Sequence, residues 1–384
     1  MASDRGRLGE VVGAVVDPVL GLPLAEAGML RSVESRRHRA EIELAVPAED
    51  WPGLADLVAQ VESAALADDG VREAMVVPVV MDEHERGTLR LALRRRMQGD
   101  AGASGGGHGH GDHGHDTPVP TFLQPGSKTR VIGVSSGKGG VGKSSVTVNL
   151  AIAMVRAGHS AAILDADVYG FSVPKMLGGD REPVIIGDTV VPTAVHGVRC
   201  LSMGYFVPED QPVIWRGPML HKAIEQFLAD AYWGEPDFLL VDMPPGTGDV
   251  TLSLAQVMPR AEIIVVTTPQ PAAQRVAQRS AFAARKLKLS VRGVVENMSW
   301  FTGDDGTRYE LFGRGGGAEL AGDLGVPLMG QIPLVPELRE GGDTGRPITV
   351  TDPDAEASQA FFALAKRVVA IGPARVYRRE LSLS

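Results

Sequence analysis

Residues 131–154 read VIGVSSGKGGVGKSSVTVNLAIAM. Gly137, Gly142, Lys143 and Ser144 fit the spacing G-x-x-x-x-G-K-[ST], with an apolar run before it and an amphipathic one after it. Such a loop lets backbone N–H groups converge on phosphate oxygens, and the helix opening from it adds a partial positive charge. Strand, phosphate-binding loop and helix are therefore expected in succession. The expected phosphate contacts are Gly137, Lys138, Gly139, Gly140, Val141, Gly142, Lys143, Ser144 and Ser145. Lys143 is expected at the β- and γ-phosphates and the Ser144 hydroxyl at Mg²⁺. Lys138 supplies a second ammonium. It is expected to reach a γ-phosphate, in one reading across a dimer interface.

Outward from this loop the pattern alternates. Strands are expected at 130–135, 161–165, 238–242, 262–267, 291–295 and 327–332, and helices at 142–157, 218–232, 271–287, 316–324 and 354–371. Continuous apolar strands alternating with helices predict a doubly wound, mostly parallel α/β sheet covered on both faces. Residues 184–186 and 189–191 flank Gly187-Asp188, which predicts a hairpin.

Two carboxylate motifs fall at strand ends, where a parallel sheet opens its ligand crevice. LLVDMPPGTGD places Asp242 as a carboxylate that holds Mg²⁺ through its water shell. Gly246, in the next loop, is expected to offer its N–H to the γ-phosphate. ILDADVYG places Asp165 near the metal shell and Asp167 where it can orient an attacking water. Guanine-specific proteins usually carry N-K-x-D, and this sequence has no such run. Strand 291–295 instead leads into ENMSW. Asn297 carries the donor and the acceptor that adenine N6 and N1 require, so ATP is the expected nucleotide.

The chain has 384 residues, 44% hydrophobic and 22% charged. That is ordinary globular usage and allows two or three domains. A net charge of −9 opposes broad binding to nucleic acid or anionic membrane. The N-terminal stretch MASDRGRLGE has no apolar run behind it, and no long apolar run follows elsewhere. Neither a secretory signal nor a membrane span is expected, and the expected location is cytoplasmic. Residues 98–128 are rich in Gly, His and Pro and read as a flexible linker. They separate a small α+β domain at 1–97 from the nucleotide domain at 129–374, with a tail at 375–384. In the small domain, helices are expected at 5–16 and 51–66, and strands at 29–33, 38–46, 74–80 and 88–93.

The runs GKGGVGKSS, LDADVYGFSVPKMLG, WRGPM, DMPPGTGD, ENMSWF and QIPLVPELREGGDTGRP resemble the Mrp family of P-loop ATPases. These are ApbC-type iron–sulfur cluster carriers within the larger group of partitioning and Min-type ATPases. The resemblance spans about 250 residues from Thr129 onward. The 1–97 region is similar, through DPVLGLPLAEAGML, to the small iron–sulfur assembly domain often fused to it. The resemblance implies a doubly wound sheet, a homodimer with ATP near its interface and an ATP-modulated cluster carrier, with assembly or client proteins as partners. Hydrolysis is expected to be slow and coupled to a dimer or switch transition, because loops held by the γ-phosphate relax when it leaves. It implies Lys138 as the signature lysine, Lys143 as the phosphate lysine, Ser144 and Asp242 as magnesium partners, and Asp167 as the carboxylate that positions water.

Cluster-carrying members of that family typically have C-x-x-C shortly after ENMS, so that a dimer supplies four thiolates to one cluster. Here that segment reads FTGDDGTRYELFG, and the sequence has a single cysteine, Cys200, in an apolar run. Cys200 reads as a buried hydrophobe, and Asp304 and Asp305 are hard ligands unsuited to a soft cluster. Two alternatives follow. One is an ATP-switched regulatory protein without cluster transfer. The other is a metal-delivery ATPase that uses the imidazoles of His108, His110, His113 and His115. A partitioning role on DNA or membrane is opposed by the acidic balance. Arg375, Arg378 and Arg379 read as a solvated tail.

Overall fold

A computed structural model describes residues 2–98, 127–168, 170–179, 181–206, 217–246 and 248–373. The His tract and the basic tail lie outside the described residues. Contacts divide the chain into two compact units.

The smaller unit begins with helices α1 (Ala2–Gly13) and α2 (Leu24–Ala27) and strands β1 (Leu30–Arg36) and β2 (Arg39–Val46). Helix α3 (Leu54–Leu66), strand β3 (Glu73–Val80) and helix α4 (Glu83–Gln98) follow. The sheet order is β1-β2-β3, with β1 antiparallel and β3 parallel to β2. Trp51 anchors the core at 1% exposure, and its Nε1 donates to buried Asp17 at 2.9 Å.

The expected strand at 88–93 is instead part of α4. Leu89, Leu91 and Leu93 alternate over that window, but only Leu89 and Leu93 are buried, while Leu91 is 52% exposed. The working period is the helical i, i+4. Asp82 and Glu85 fix the helix start by a reciprocal box. The Glu85 N–H donates to Asp82 Oδ1 at 2.8 Å and the Asp82 N–H to Glu85 Oε2 at 2.9 Å.

The larger unit contains β4 (Arg130–Ser136), α5 (Lys143–Arg156), β5 (Ala161–Asp165) and α6 (Val173–Leu177). The chain continues through β6 (Val184–Ile186), β7 (Thr189–Val191), β8 (Thr193–Val195), β9 (Val198–Ser202) and α7 (Gly217–Asp230). Then come β10 (Phe238–Asp242), α8 (Asp249–Val257), β11 (Glu262–Thr267), α9 (Pro271–Lys286) and β12 (Ser290–Asn297). The last elements are β13 (Phe301–Thr302), β14 (Arg308–Tyr309), α10 (Gly316–Leu324), β15 (Leu328–Ile332), α11 (Pro336–Thr344), α12 (Ile348–Thr351) and α13 (Glu356–Ile371).

Eight strands form one sheet in the order β15-β12-β11-β4-β10-β5-β9-β8. From β15 to β9 every pairing is parallel. Strands β5, β10 and β11 are buried along their whole length. This is why they read as unbroken apolar runs. Helix α5 is buried nearly all round, and Val146, Leu150 and Met154 join the same core as Ile132, Leu240 and Phe361. Each such buried aliphatic side chain contributes about 1.5–3 kcal/mol.

The smaller unit also takes in Pro183–Thr193 and Leu228–Gly234. Hairpin residues Ile186 and Val191 enter its core together with Tyr232, whose Oη donates to the Leu20 carbonyl at 2.8 Å. Arg94 pairs with Asp188 in the hairpin turn. This unit therefore draws on sequence well beyond the expected 1–97 span. Among the described residues no helix is long and apolar enough to cross a membrane.

Candidate functional site

The loop between β4 and α5 turns sharply because Gly140 and Gly142 take left-handed backbone angles, φ +78° and +80°. Gly137 has another reason to lack a side chain. A Cβ there would stand 2.2 Å from the Ala277 nitrogen of α9. The loop and its neighbours line a pocket that includes Lys138, Gly140, Lys143, Ser144, Asp167 and Met176.

Asp242, at the end of β10, is the hub of the buried polar groups. Its Oδ2 accepts from Lys143 Nζ at 2.6 Å and from Ser144 Oγ at 2.5 Å, and its Oδ1 from Thr147 Oγ1 at 2.7 Å. Lys143 Nζ also stands 3.4 Å from Asp167 Oδ2. The loop lysine thus rests among the carboxylates of two neighbouring strand ends. Asp165 is paired in register with Asp242 across β5 and β10. Its Oδ2 accepts from Ser202 Oγ at 3.0 Å and its Oδ1 from the Asp167 N–H at 3.2 Å. Burial, and then the charge of Asp242, push the Asp165 carboxyl up to about 7. Ser144 and Asp242 present hard oxygens side by side, as Mg²⁺ requires, and these residues fit that ion.

Lys138 lies at the pocket edge and donates to Gln270 Oε1 at 3.1 Å within the same chain. Two expectations change. The Gly246 N–H donates to the Ser136 carbonyl at 2.8 Å, because the loop after β10 folds against the end of β4. It is therefore already engaged rather than directed at a γ-phosphate. Asn297 engages one end of its amide within the fold. Its Nδ2 donates to the Val141 carbonyl at 2.9 Å behind the loop, while its buried Oδ1 has no hydrogen-bond partner. A Cβ on Gly142 would lie 2.2 Å from that Nδ2, so glycine and asparagine fit as a pair.

The sequence by itself does not single out Thr147, Gln270 or Met176. Thr147 lies three residues after Ser144, which puts it on the same face of a helix. Spacing of that kind was the available signal.

Cys200 lies within β9 at 1% exposure, and burial holds its thiol well above the ordinary range. Among the described residues no three His, Cys, Asp or Glu side chains gather as a metal site. Where the resemblance implies cysteines, strands β13 and β14 form a closed hairpin. Glu356 accepts from Trp300, Thr302 and Arg308, and Arg308 stacks 4.3 Å over Trp300. Asp305 is held low by hydrogen bonds from the Thr307 N–H and hydroxyl. The residues present do not fit a thiolate-held cluster.

Residues 127–369 match the ParA family model described as NUBPL iron-transfer P-loop NTPase. The chain belongs to this family. The iron-sulfur cluster carrier protein of Mycobacterium tuberculosis is 41% identical over 361 residues, 92% of this chain and 90% of that protein. The protein of the same name in Bacillus subtilis is 37% identical and covers 85% of this chain and 86% of its own length. A nucleotide-binding protein of Archaeoglobus fulgidus, solved in complex with ADP, matches with a TM-score of 0.53 at 33% identity. That match covers 61% of this chain and 93% of the other. As an iron-transfer P-loop NTPase, the chain has the doubly wound sheet expected from its sequence.

Proposed function

We propose that this P-loop NTPase is a slow, Mg²⁺-dependent ATPase that works as a homodimer and serves iron–sulfur transfer. One observation carries the nucleotide reading. Lys143, Ser144, Asp167 and Asp242 converge beside a glycine loop at the open end of a parallel sheet.

Lys143 leaves Asp242 for the β- and γ-phosphate oxygens when nucleotide enters, and the loop N–H groups hold the same phosphates. Asp167 accepts a hydrogen bond from the attacking water. The water oxygen bonds to the γ-phosphorus as the bridging oxygen departs with ADP, and a proton of the water passes to an oxygen of the released phosphate. Ser144 and Asp242 would hold Mg²⁺, which would supply charge neutralisation at the phosphates. Lys138, released from Gln270, adds positive charge at the γ-phosphate. The orphaned Oδ1 of Asn297 supports adenine over guanine, since adenine presents a donor at position 6 and guanine an acceptor.

The family description and the names of the relatives support the iron–sulfur role. The single buried cysteine favours a particular form of it. In that form ATP occupancy switches partner binding, and the chain does not hold a cluster on its own cysteine pair. Equilibrium binding of a fluorescent ATP analogue, with phosphate release, tests the core of the proposal. Lys143→Ala should abolish both signals, and unchanged affinity in that variant would overturn the reading.

A further inference from the structure

Thr147 falls outside the phosphate-binding motif, yet it is fully buried on α5, three residues after Ser144. Its hydroxyl lies 2.7 Å from Asp242 Oδ1, the oxygen that neither Lys143 nor Ser144 contacts. The same hydroxyl is 3.0 Å from the Lys143 carbonyl. A threonine in a helix chooses between two χ1 rotamers, and contact with the carbonyl one turn back selects one of them. Here that rotamer aims Oγ1 at the carboxylate. A hydroxyl has one proton to give, and the carboxylate is the stronger acceptor.

We propose that Thr147 is a positioning residue for magnesium. It fixes the plane of the Asp242 carboxylate so that Oδ2 stays beside Ser144. The inference rests on the Mg²⁺-nucleotide reading above. On that reading the phosphates draw Lys143 away and the cation engages Ser144. The hydrogen bond from Lys143 to Oδ2 is then given up. The Ser144 hydroxyl binds the cation through a lone pair and keeps its proton for Oδ2, so the Thr147 hydroxyl is the donor that holds Oδ1. Meanwhile Asp165, in register on the neighbouring strand, presents a second carboxyl that would repel a freely turning Asp242. Partners that orient a metal-holding carboxylate are typically worth about 10- to 100-fold in metal affinity.

The test uses the full chain and its Thr147→Val, Thr147→Ala and Thr147→Ser variants. A fluorescent ATP analogue is titrated in EDTA and over a series of Mg²⁺ concentrations. Mn²⁺ bound to the nucleotide-loaded protein is counted separately by EPR. All forms should bind nucleotide alike in EDTA. Thr147→Val should need about tenfold more Mg²⁺ and bind Mn²⁺ correspondingly more weakly, while Thr147→Ser retains wild-type behaviour. Thr147→Ala, which adds no bulk, applies the same criterion if the valine variant does not fold. A metal-responsive wild type matched by the valine or alanine variant would overturn the inference alone. A wild type whose nucleotide affinity ignores metal would overturn the underlying reading as well.

Discussion

Lys143 Nζ lies 2.6 Å from Asp242 Oδ2, with 6% and 0% of the two side chains exposed. On the proposed function, the ammonium that would bind phosphate is stored against the carboxylate that would serve magnesium. Removing one partner of a buried pair leaves the other charge without compensation and costs about 3–5 kcal/mol. Lys143→Ala should therefore lower the stability of the nucleotide-free protein by about 3 kcal/mol, in addition to losing ATP binding. The double variant with Asp242→Asn should recover much of that loss. Urea unfolding checks both, and equal midpoints for wild type and Lys143→Ala would contradict the storage role.

Gly142 and Asn297 make a second pair. The glycine sits at φ +80°, and its missing Cβ would meet Asn297 Nδ2 at 2.2 Å. That amide is held by the Val141 carbonyl and cannot swing aside freely. Gly142→Ala should cost about 1–3 kcal/mol through the left-handed backbone alone, and the clash adds to it. Asn297→Ala removes the obstacle. A double-mutant cycle by thermal unfolding should then show the two changes coupled, the pair costing less than the sum of the singles. Additive effects would mean that the loop does not rest on Asn297.

The parallel strands were legible because burial on both faces leaves an unbroken apolar run, and the phosphate loop because its spacing is nearly unique to that chemistry. The failures have physical causes. Over 88–93 a six-residue window shows alternating leucines, and only the longer span with its Asp82–Glu85 box reveals the helix. No pattern in the sequence says that the Gly246 N–H donates to the Ser136 carbonyl. A threonine such as Thr147 among apolar helix residues reads as ordinary packing in the sequence, and only the fold shows the carboxylate it faces. The contributions of 183–193 and 228–234 to the small unit depend on contacts at long sequence separation, which local periodicity does not encode.

Cys200 is the sole thiol of the chain, buried in β9 and held protonated by its surroundings. Thiolate is the form that binds iron. Anaerobic incubation with iron and sulfide should give no stoichiometric thiolate–iron absorbance in the wild type. Cys200→Ala should leave the spectrum and the ATP affinity unchanged, with a stability change of about 1 kcal/mol from the lost sulfur contacts. A stable cluster in the wild type that vanishes in Cys200→Ala would place the ligand where burial argues against it.

In the small unit, Arg31 meets Glu85 through two hydrogen bonds, at 2.8 and 2.6 Å. This guanidinium is the main reason the Glu85 carboxyl falls from its ordinary 4.5 to about 2. The folded value lies below the unfolded one, so the charged form is favoured by folding. Its stabilisation is complete above the unfolded value of 4.5 and is lost as pH falls through about 2. Glu85 also closes the box with Asp82 at the start of α4, so its charge serves a helix end as well as an ion pair. Glu85→Gln should therefore unfold earlier than wild type at neutral pH, and the gap should close steadily on acidification between those two values. Thermal unfolding of both full-length forms across that range measures it. A gap that stays constant with pH would mean that the pair adds shape to the helix start but no charge-dependent stability.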